Sequence, residues 1–201
     1  MPHPANAFQT IRNEHAGVAA VLRALLLQAE QGPGEDAQRY YDALRAMLFY
    51  IDEFPEQRHH PKESDLLFPR IARIAPQLMP VIRRLESDHV QGESRVRELQ
   101  HLLLAWELLG ESRREAFVSA TRDYVRFYLD HMRAEEVQLL PVAERELPPQ
   151  ERAELDAAFS ENRDPLANGA GGGAPDPVYE RLFARIQAMV TLPGAAAQSA
   201  G

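Results

Sequence analysis

The sequence predicts an all-α fold, an antiparallel four-helix bundle extended by short C-terminal helices, and two observations carry that prediction. Apolar residues recur every three or four positions along four long stretches, with no strand-like alternation anywhere. The stretches are separated by short connections rich in glycine and proline, which favours antiparallel neighbours. In the first stretch Phe8, Ile11, His15, Val18, Leu22 and Leu25 share one face, Asn6 stands as a cap, and Gly32-Pro33-Gly34 is the stop. The second, from about Asp36, runs through Tyr40, Leu44, Leu48 and Ile51, meets Pro55, and resumes through His59, Glu63, Leu66 and Leu67 to Ile74. Pro55 and Pro61 are expected to kink it, because each lacks an N–H and crowds the preceding turn. The third spans 76–109, with Leu85, His89, Val96, Leu99 and Leu103 inward and Gly110 as its end. The fourth, from about Ser112, carries Phe117, Thr121, Tyr124, Tyr128, His131, Glu135, Gln138 and Val142 on one stripe.

Beyond Leu147-Pro148-Pro149 a short helix through about Asn162 is expected, followed by a glycine-rich linker over 168–175. Asp176-Pro177 then reads as cap and first-turn proline of one more amphipathic helix, with Val178, Leu182, Phe183, Ile186, Met189 and Val190 on one side. That helix is expected to dock onto the bundle or onto a second subunit of a homodimer. The expected organisation is a bundle over 1–147, a helical appendage over 148–192, and a disordered tail over 193–201.

Composition sets the chemistry allowed. The chain has 201 residues, 45% of them hydrophobic, enough for one core with an appendage. With no cysteine, thiolate metal sites, iron–sulfur clusters, disulfides and cysteine nucleophiles are excluded, so any metal must be held by nitrogen and oxygen. The net charge of -8 and pI near 5.4 argue against nucleic acid, and no basic run interleaved with aromatics argues back. No apolar run reaches membrane-spanning length, and the N-terminus has no signal-like pattern; a cytoplasmic protein without a membrane partner is expected.

The functional signal is a unit written twice. His59-His60-Pro61-Lys62-Glu63 and His131-Met132-Arg133-Ala134-Glu135 each set a histidine four residues before a glutamate, with a proline six residues further on at Pro69 and Pro141. Upstream of each stands another histidine preceded by an acidic residue, Glu14-His15 and Asp88-His89. Residues four apart lie one helical turn up the same face, about 6 Å along the axis, so imidazole and carboxylate can converge on one centre. Glu63 and Glu135 fall on inward stripes, where an unpaired carboxylate is costly and a metal dication removes the cost. Two similar halves supplying imidazoles and carboxylates are what a pair of metal ions requires.

The ordered set His15, His59-x-x-x-Glu63, His89-x-x-x-Glu93 and His131-x-x-x-Glu135, with Glu63-Ser-Asp-Leu-Leu-Phe-Pro69, resembles the hemerythrin-like (HHE cation-binding) proteins over about Phe8 to Glu146. The resemblance implies an up-down-up-down bundle around a carboxylate-bridged pair of non-haem iron ions. Glu63 and Glu135 would bridge, His15 and His59 bind one iron, and His89, Glu93 and His131 the other. It also implies that the centre reacts with or senses dioxygen, peroxide or nitric oxide, as an oxidoreductase, sensor, store or iron donor. Oxygen-transport hemerythrins have histidine where Glu93 stands and aspartate one residue beyond Glu135. The chain departs at both places, and a third carboxylate at Glu93 would make the centre harder and more electron-rich, which argues against reversible oxygen carriage.

Other readings compete. Glu56-x-x-His59 and Glu86-x-x-His89 match the spacing of ferritin-like di-iron proteins, but they lie on consecutive helices and leave His15 and His131 without a role. A metal-free helical interaction module would turn the same residues into hydrogen-bonded pairs. Zinc or manganese would accept the same donors as iron. His60 reads as an outer or surface residue, with Pro61 leaving room for it to exchange roles with His59. His101 reads as non-ligating, His3 as part of a free end, Trp106 as packing, and Tyr124 and Tyr128 as core rather than pocket.

Overall fold

A computed structural model describes residues 6–162, 164, 166, 182, 185 and 186, and among these there is no strand. Helix α1, Ala7–Gln31, starts where the Asn6 side chain accepts from the Gln9 N–H at 2.9 Å. It stops at Gly32, whose φ of 80° is a conformation that glycine adopts without strain. Helix α2, Ala37–Ile51, is capped by Asp36, which accepts from the Arg39 N–H at 3.0 Å. It continues unbroken through the π-helical turn π1, Asp52–His59, α3, His60–Lys62, π2, Glu63–Leu67, and α4, Phe68–Ile74. A 3₁₀ turn, Pro76–Leu78, leads into α5, Met79–Leu109, ended by Gly110 at φ 86°. After a second 3₁₀ turn, Glu111–Arg113, the chain forms α6, Arg114–Ala134, π3, Glu135–Leu139, α7, Leu140–Glu146, and α8, Pro149–Ser160.

The prolines expected to kink the second stretch are accommodated by widened turns. His60 N–H donates to Pro55 O, Phe68 N–H to Glu63 O, and Leu140 N–H to Glu135 O, each a five-residue bond, and Pro61, Pro69 and Pro141 follow immediately. A proline ring crowds the carbonyl four residues before it, and a five-residue turn gives it room without ending the helix. The extra residue per turn also shifts the inward stripe. In the fourth stretch the expected Gln138 is exposed and Leu139 is buried instead.

Helix α1 packs against α2 and α6, and α5 packs against the same two, closing a bundle; α8 lies along α1. Two apolar clusters fill it. One gathers Leu22, Leu44, Leu103, Trp106 and Phe117, the other Phe8, Phe68, Leu85, Leu140 and Phe159. On each helix, the histidines and glutamates singled out above fall between residues of one cluster and residues of the other. Each buried leucine or phenylalanine contributes about 1.5–3 kcal/mol, so the two layers carry the fold while the polar layer between them costs stability unless it is satisfied. Of the expected last amphipathic helix, Ile186 is buried in the first cluster and Leu182 packs against it, while the glycine-rich linker and the 193–201 tail lie outside the described residues. No described helix is long and apolar enough to cross a membrane.

Candidate metal centre

Two groups of donors meet in the polar layer. His15, His59, Glu63 and Glu135 form one, and His60, Glu63, His89 and His131 form the other, with the donor atoms of each group within 4.8 Å of one another. Glu63 belongs to both. All these side chains are buried, Glu63 at 0% and Glu135 at 1% exposed. In the first group His15 Nε2 lies 3.2 Å from His59 Nε2 and 3.3 Å from Glu135 Oε2, while His59 Nε2 is 3.1 Å from Glu63 Oε1. In the second, His131 Nε2 is 3.1 Å from Glu135 Oε1, and His89 Nε2 lies 3.5 Å from Glu63 Oε2 and 3.7 Å from Glu135 Oε1.

Close approach is not satisfaction. Both carboxylate oxygens of Glu63, both of Glu135, and the Nε2 atoms of His89 and His131 are buried without a hydrogen-bond partner. An unsatisfied buried polar atom costs about 1–3 kcal/mol and a charged one more, so six such atoms facing one another describe a place built for cations. Electrostatics agree. Burial drives the imidazoles of His15 and His59 toward lower pKa, yet neighbouring glutamates leave both raised; burial likewise opposes His131, but Glu135 and Asp88 hold it at about 10. Glu135 is held well below the usual carboxylate range, because the histidines around it overcome its burial. Protons on these imidazoles stand where metal charge would stand.

Three of the four imidazoles at His15, His59, His89 and His131 are aimed from behind. His59 Nδ1 meets Glu14 Oε2 at 2.6 Å, His15 Nδ1 meets Glu136 Oε1 at 2.9 Å, and His89 Nδ1 meets Ser64 Oγ at 2.9 Å. Asp88 Oδ2 lies 3.5 Å from His131 Nδ1, too far for a normal hydrogen bond. Such outer partners fix the ring orientation that a ligating histidine needs.

Six of the seven residues expected from sequence, His15, His59, Glu63, His89, His131 and Glu135, converge. Glu93 does not. Its side chain is 40% exposed and pairs with Arg97 one turn along α5. The helix turns Gly92 toward the interior, and the next residue points about a quarter-turn away. Beside His89 and His131 the further donor is His60 instead. A Cβ on Gly92 would sit 2.8 Å from Glu56 Oε1, so Glu56 fills the space a side chain there would need.

His60, expected at the surface, is also buried, since π1 turns both His59 and His60 inward. Its Nδ1 meets Glu56 Oε2 at 3.0 Å and its Nε2 meets the Tyr128 hydroxyl at 2.9 Å, while its ring stacks on His89 at 4.0 Å. Tyr124 and Tyr128 are core, as expected, and their hydroxyls both donate to Glu56 Oε1 at 3.3 Å, so their rings pack in the first apolar cluster while their tips bond into the polar layer. Burial raises the Glu56 pKa to about 7. The ferritin-type pairing is not formed: Glu56 bonds His60 rather than His59, and Glu86 is exposed. His101 is exposed, Trp106 is core, and His3 lies outside the described residues. The sequence singled out Glu56 only through its ferritin-like spacing from His59, a pairing that the fold does not form.

The sequence model of the family described as the hemerythrin HHE cation binding domain matches residues 6–143. No curated protein matches the chain.

Proposed function

Since the chain belongs to the hemerythrin HHE cation-binding family, we propose that it holds two non-haem iron ions in the polar layer and uses them, in the cytoplasm, to react with or sense dioxygen, peroxide or nitric oxide. In this reading the four long helical segments run up-down-up-down. His15 and His59 would hold one ion and His89 and His131 the other with His60 as a further donor, while Glu63 and Glu135, each facing histidines of both halves, would be shared. The observation that carries it is the set of four oxygens on Glu63 and Glu135 buried without a hydrogen-bond partner, two carboxylates faced only by histidines that must carry protons where a metal would sit. A nitrogen and oxygen donor set suits iron and would also accept zinc or manganese. Bound iron would supply an open coordination position and one-electron changes of oxidation state.

The chain's own residues do the rest. Glu14, Glu136 and Ser64 hold the imidazoles in the orientation that presents Nε2 inward. The apolar layers above and below exclude water, which strengthens every charge interaction between them. Tyr128, Glu56 and His60 place exchangeable protons beside the His89 ring, where a small molecule accepting a hydrogen bond would be steadied.

The test is metal analysis and anomalous scattering on protein purified from iron-replete medium without added metal. Two iron ions per chain, one in each donor group, is the expected result. Protein without metal would overturn the reading, and zinc alone would overturn its redox part.

A further inference from the structure

We propose that Asn162, in the segment beyond α8, is a positioning residue for the metal centre: its amide holds the Glu14 carboxylate against His59, so the C-terminal appendage completes the His15–His59 half. The proposal rests on the metal-binding reading above. It concerns a part of the chain outside the matched family region, which ends at residue 143.

The appendage is fastened to the bundle at several points. Helix α8 lies on α1, where the Ala7 N–H donates to Asp156 Oδ1 at 2.6 Å. Past its end, the Tyr50 hydroxyl donates to Asp164 Oδ2 at 2.7 Å, and Leu166 is buried in the apolar core. Between these anchors Asn162 is 3% exposed. Its Nδ2 donates to Glu14 Oε2 at 3.1 Å, the same oxygen that His59 Nδ1 reaches at 2.6 Å. Lys62, the residue before Glu63, donates to Asn162 Oδ1 and to Ala158 O. Because the ammonium can only donate, it fixes which end of the amide faces Glu14. A chain of polar contacts thus runs from α8 through Lys62 and Asn162 to Glu14 and the ring of His59.

A glutamate has three rotatable bonds, and one hydrogen bond to His59 does not choose among their combinations. A second donor on the same oxygen does. The aim matters because a carboxylate behind a ligating imidazole fixes its tautomer and raises its basicity, and loss of such a partner typically weakens metal binding about 10–100-fold. Asn162 and Asp164 also line the narrow cavity that reaches His15 and His59 between α1 and π1, so the same segment walls this half of the site. In the other half the residue corresponding to Glu14 is Asp88, whose neighbour is Arg84 of its own helix.

The experiment follows iron release from the full-length holoprotein to excess EDTA, with parent, Asn162→Ala, Glu14→Gln and the double variant. Asn162→Ala should speed loss of one of the two iron ions by about 10–100-fold and leave the other at the parent rate. In the Glu14→Gln background the same change should add nothing, because Asn162 acts through Glu14. If Asn162→Ala fails to fold, Lys62→Met, which frees the other end of the amide, should speed the same phase. Equal acceleration of both phases, additivity with Glu14→Gln, or parent-like release would overturn the proposal. A parent that carries no iron would instead overturn the metal-binding reading itself.

Discussion

The two halves of the centre are built from one pattern and backed by different chemistry. His59 and Glu63 correspond to His131 and Glu135, His15 to His89, and each pair of halves contributes the same inward imidazoles and carboxylate. Even the outer contacts repeat in position. The acidic residue before each lone histidine approaches the other imidazole of its half, Glu14 toward His59 and Asp88 toward His131. The residue after each shared glutamate reaches the lone histidine of the opposite half, Glu136 to His15 and Ser64 to His89. What differs is reach and charge. Glu14 closes to 2.6 Å where Asp88, one methylene shorter, stops at 3.5 Å, and a carboxylate backs His15 where a hydroxyl backs His89. Carboxylate backing makes an imidazole a stronger donor, so the His15–His59 position should hold metal more tightly and in the more oxidised state. The His89–His131 position has Glu56, His60 and Tyr128 beside it instead.

The largest expected effect removes what both halves share. Glu63→Gln and Glu135→Gln should each empty both positions, because each carboxylate turns one oxygen toward a histidine of either half. Metal-to-protein ratios measured by mass spectrometry decide it. Retention of two ions in Glu63→Gln would end the idea of a shared carboxylate.

Next in size is the effect of pH on the stripped protein. Without metal, protonated histidines balance the buried carboxylates, and His131 is held at about 10 although burial opposes its charge. A pKa raised from 6.5 contributes stability that is fully present below pH 6.5 and is lost as pH rises through the folded value, about 10 for His131. The lowered pKa values of Glu63 and Glu135 work at the other end, giving stability present above about 4.5 and lost as pH falls through their folded values. The raised histidines and lowered glutamates of the centre together contribute most between about pH 4.5 and 6.5, and the metal-free protein should lose up to about 1.4 kcal/mol per pH unit for each such histidine on the way toward pH 10. The metal-bound protein should show no such alkaline loss, since metal charge replaces the protons. Parallel melting curves across pH 5–10 would contradict this account.

A smaller change should make the halves alike. Asp88→Glu adds the missing methylene, letting the carboxylate close on His131 Nδ1 as Glu14 does on His59, and should slow metal loss from that half by about tenfold. Two-phase release kinetics should then merge toward one. Phases that stay as far apart as in the parent would show that the difference between halves lies elsewhere, in His60 or the appendage.

What the sequence disclosed, and what it did not, follows from helix geometry. Four-residue spacing fixes a shared face, so His59 with Glu63 and His131 with Glu135 were readable, as were the cap Asn6, the helix start near Asp36 and the stops Gly32 and Gly110. Two of the π turns were written in the sequence as Glu-x5-Pro and the first as Pro-x5-Pro, but a regular helical wheel hides their effect, which is to turn His60 inward and Gln138 outward. Contacts between distant stretches left no pattern at all. Glu56 enters against Gly92, and Asn162 reaches Glu14 from 148 residues away, through backbone proximity that no local period encodes.

The smallest effect belongs to Glu93, where wheel geometry and spacing gave opposite answers. Spacing alone makes His89-x-x-x-Glu93 a third copy of the unit, and the chemistry of a third carboxylate ligand would follow. On α5, however, the interior face after His89 passes through Gly92 to Val96, and Glu93 stands beside it with its carboxylate on Arg97. Exposed pairs of this kind are worth about 0.3–0.5 kcal/mol, and truncation to alanine recovers part of that in helix propensity. Glu93→Ala should thus leave the melting temperature, the iron content and both release phases as in the parent, indistinguishable from Glu98→Ala on the exposed face of the same helix. Glu56→Ala should not be silent, because it strips the carboxylate from His60, Tyr124 and Tyr128 together and opens a hole beside Gly92. If Glu93→Ala instead released the ion held by His89 and His131, the helix would have to rotate by about a quarter-turn from the arrangement described, and the burial of Gly92 against Glu56 could not survive.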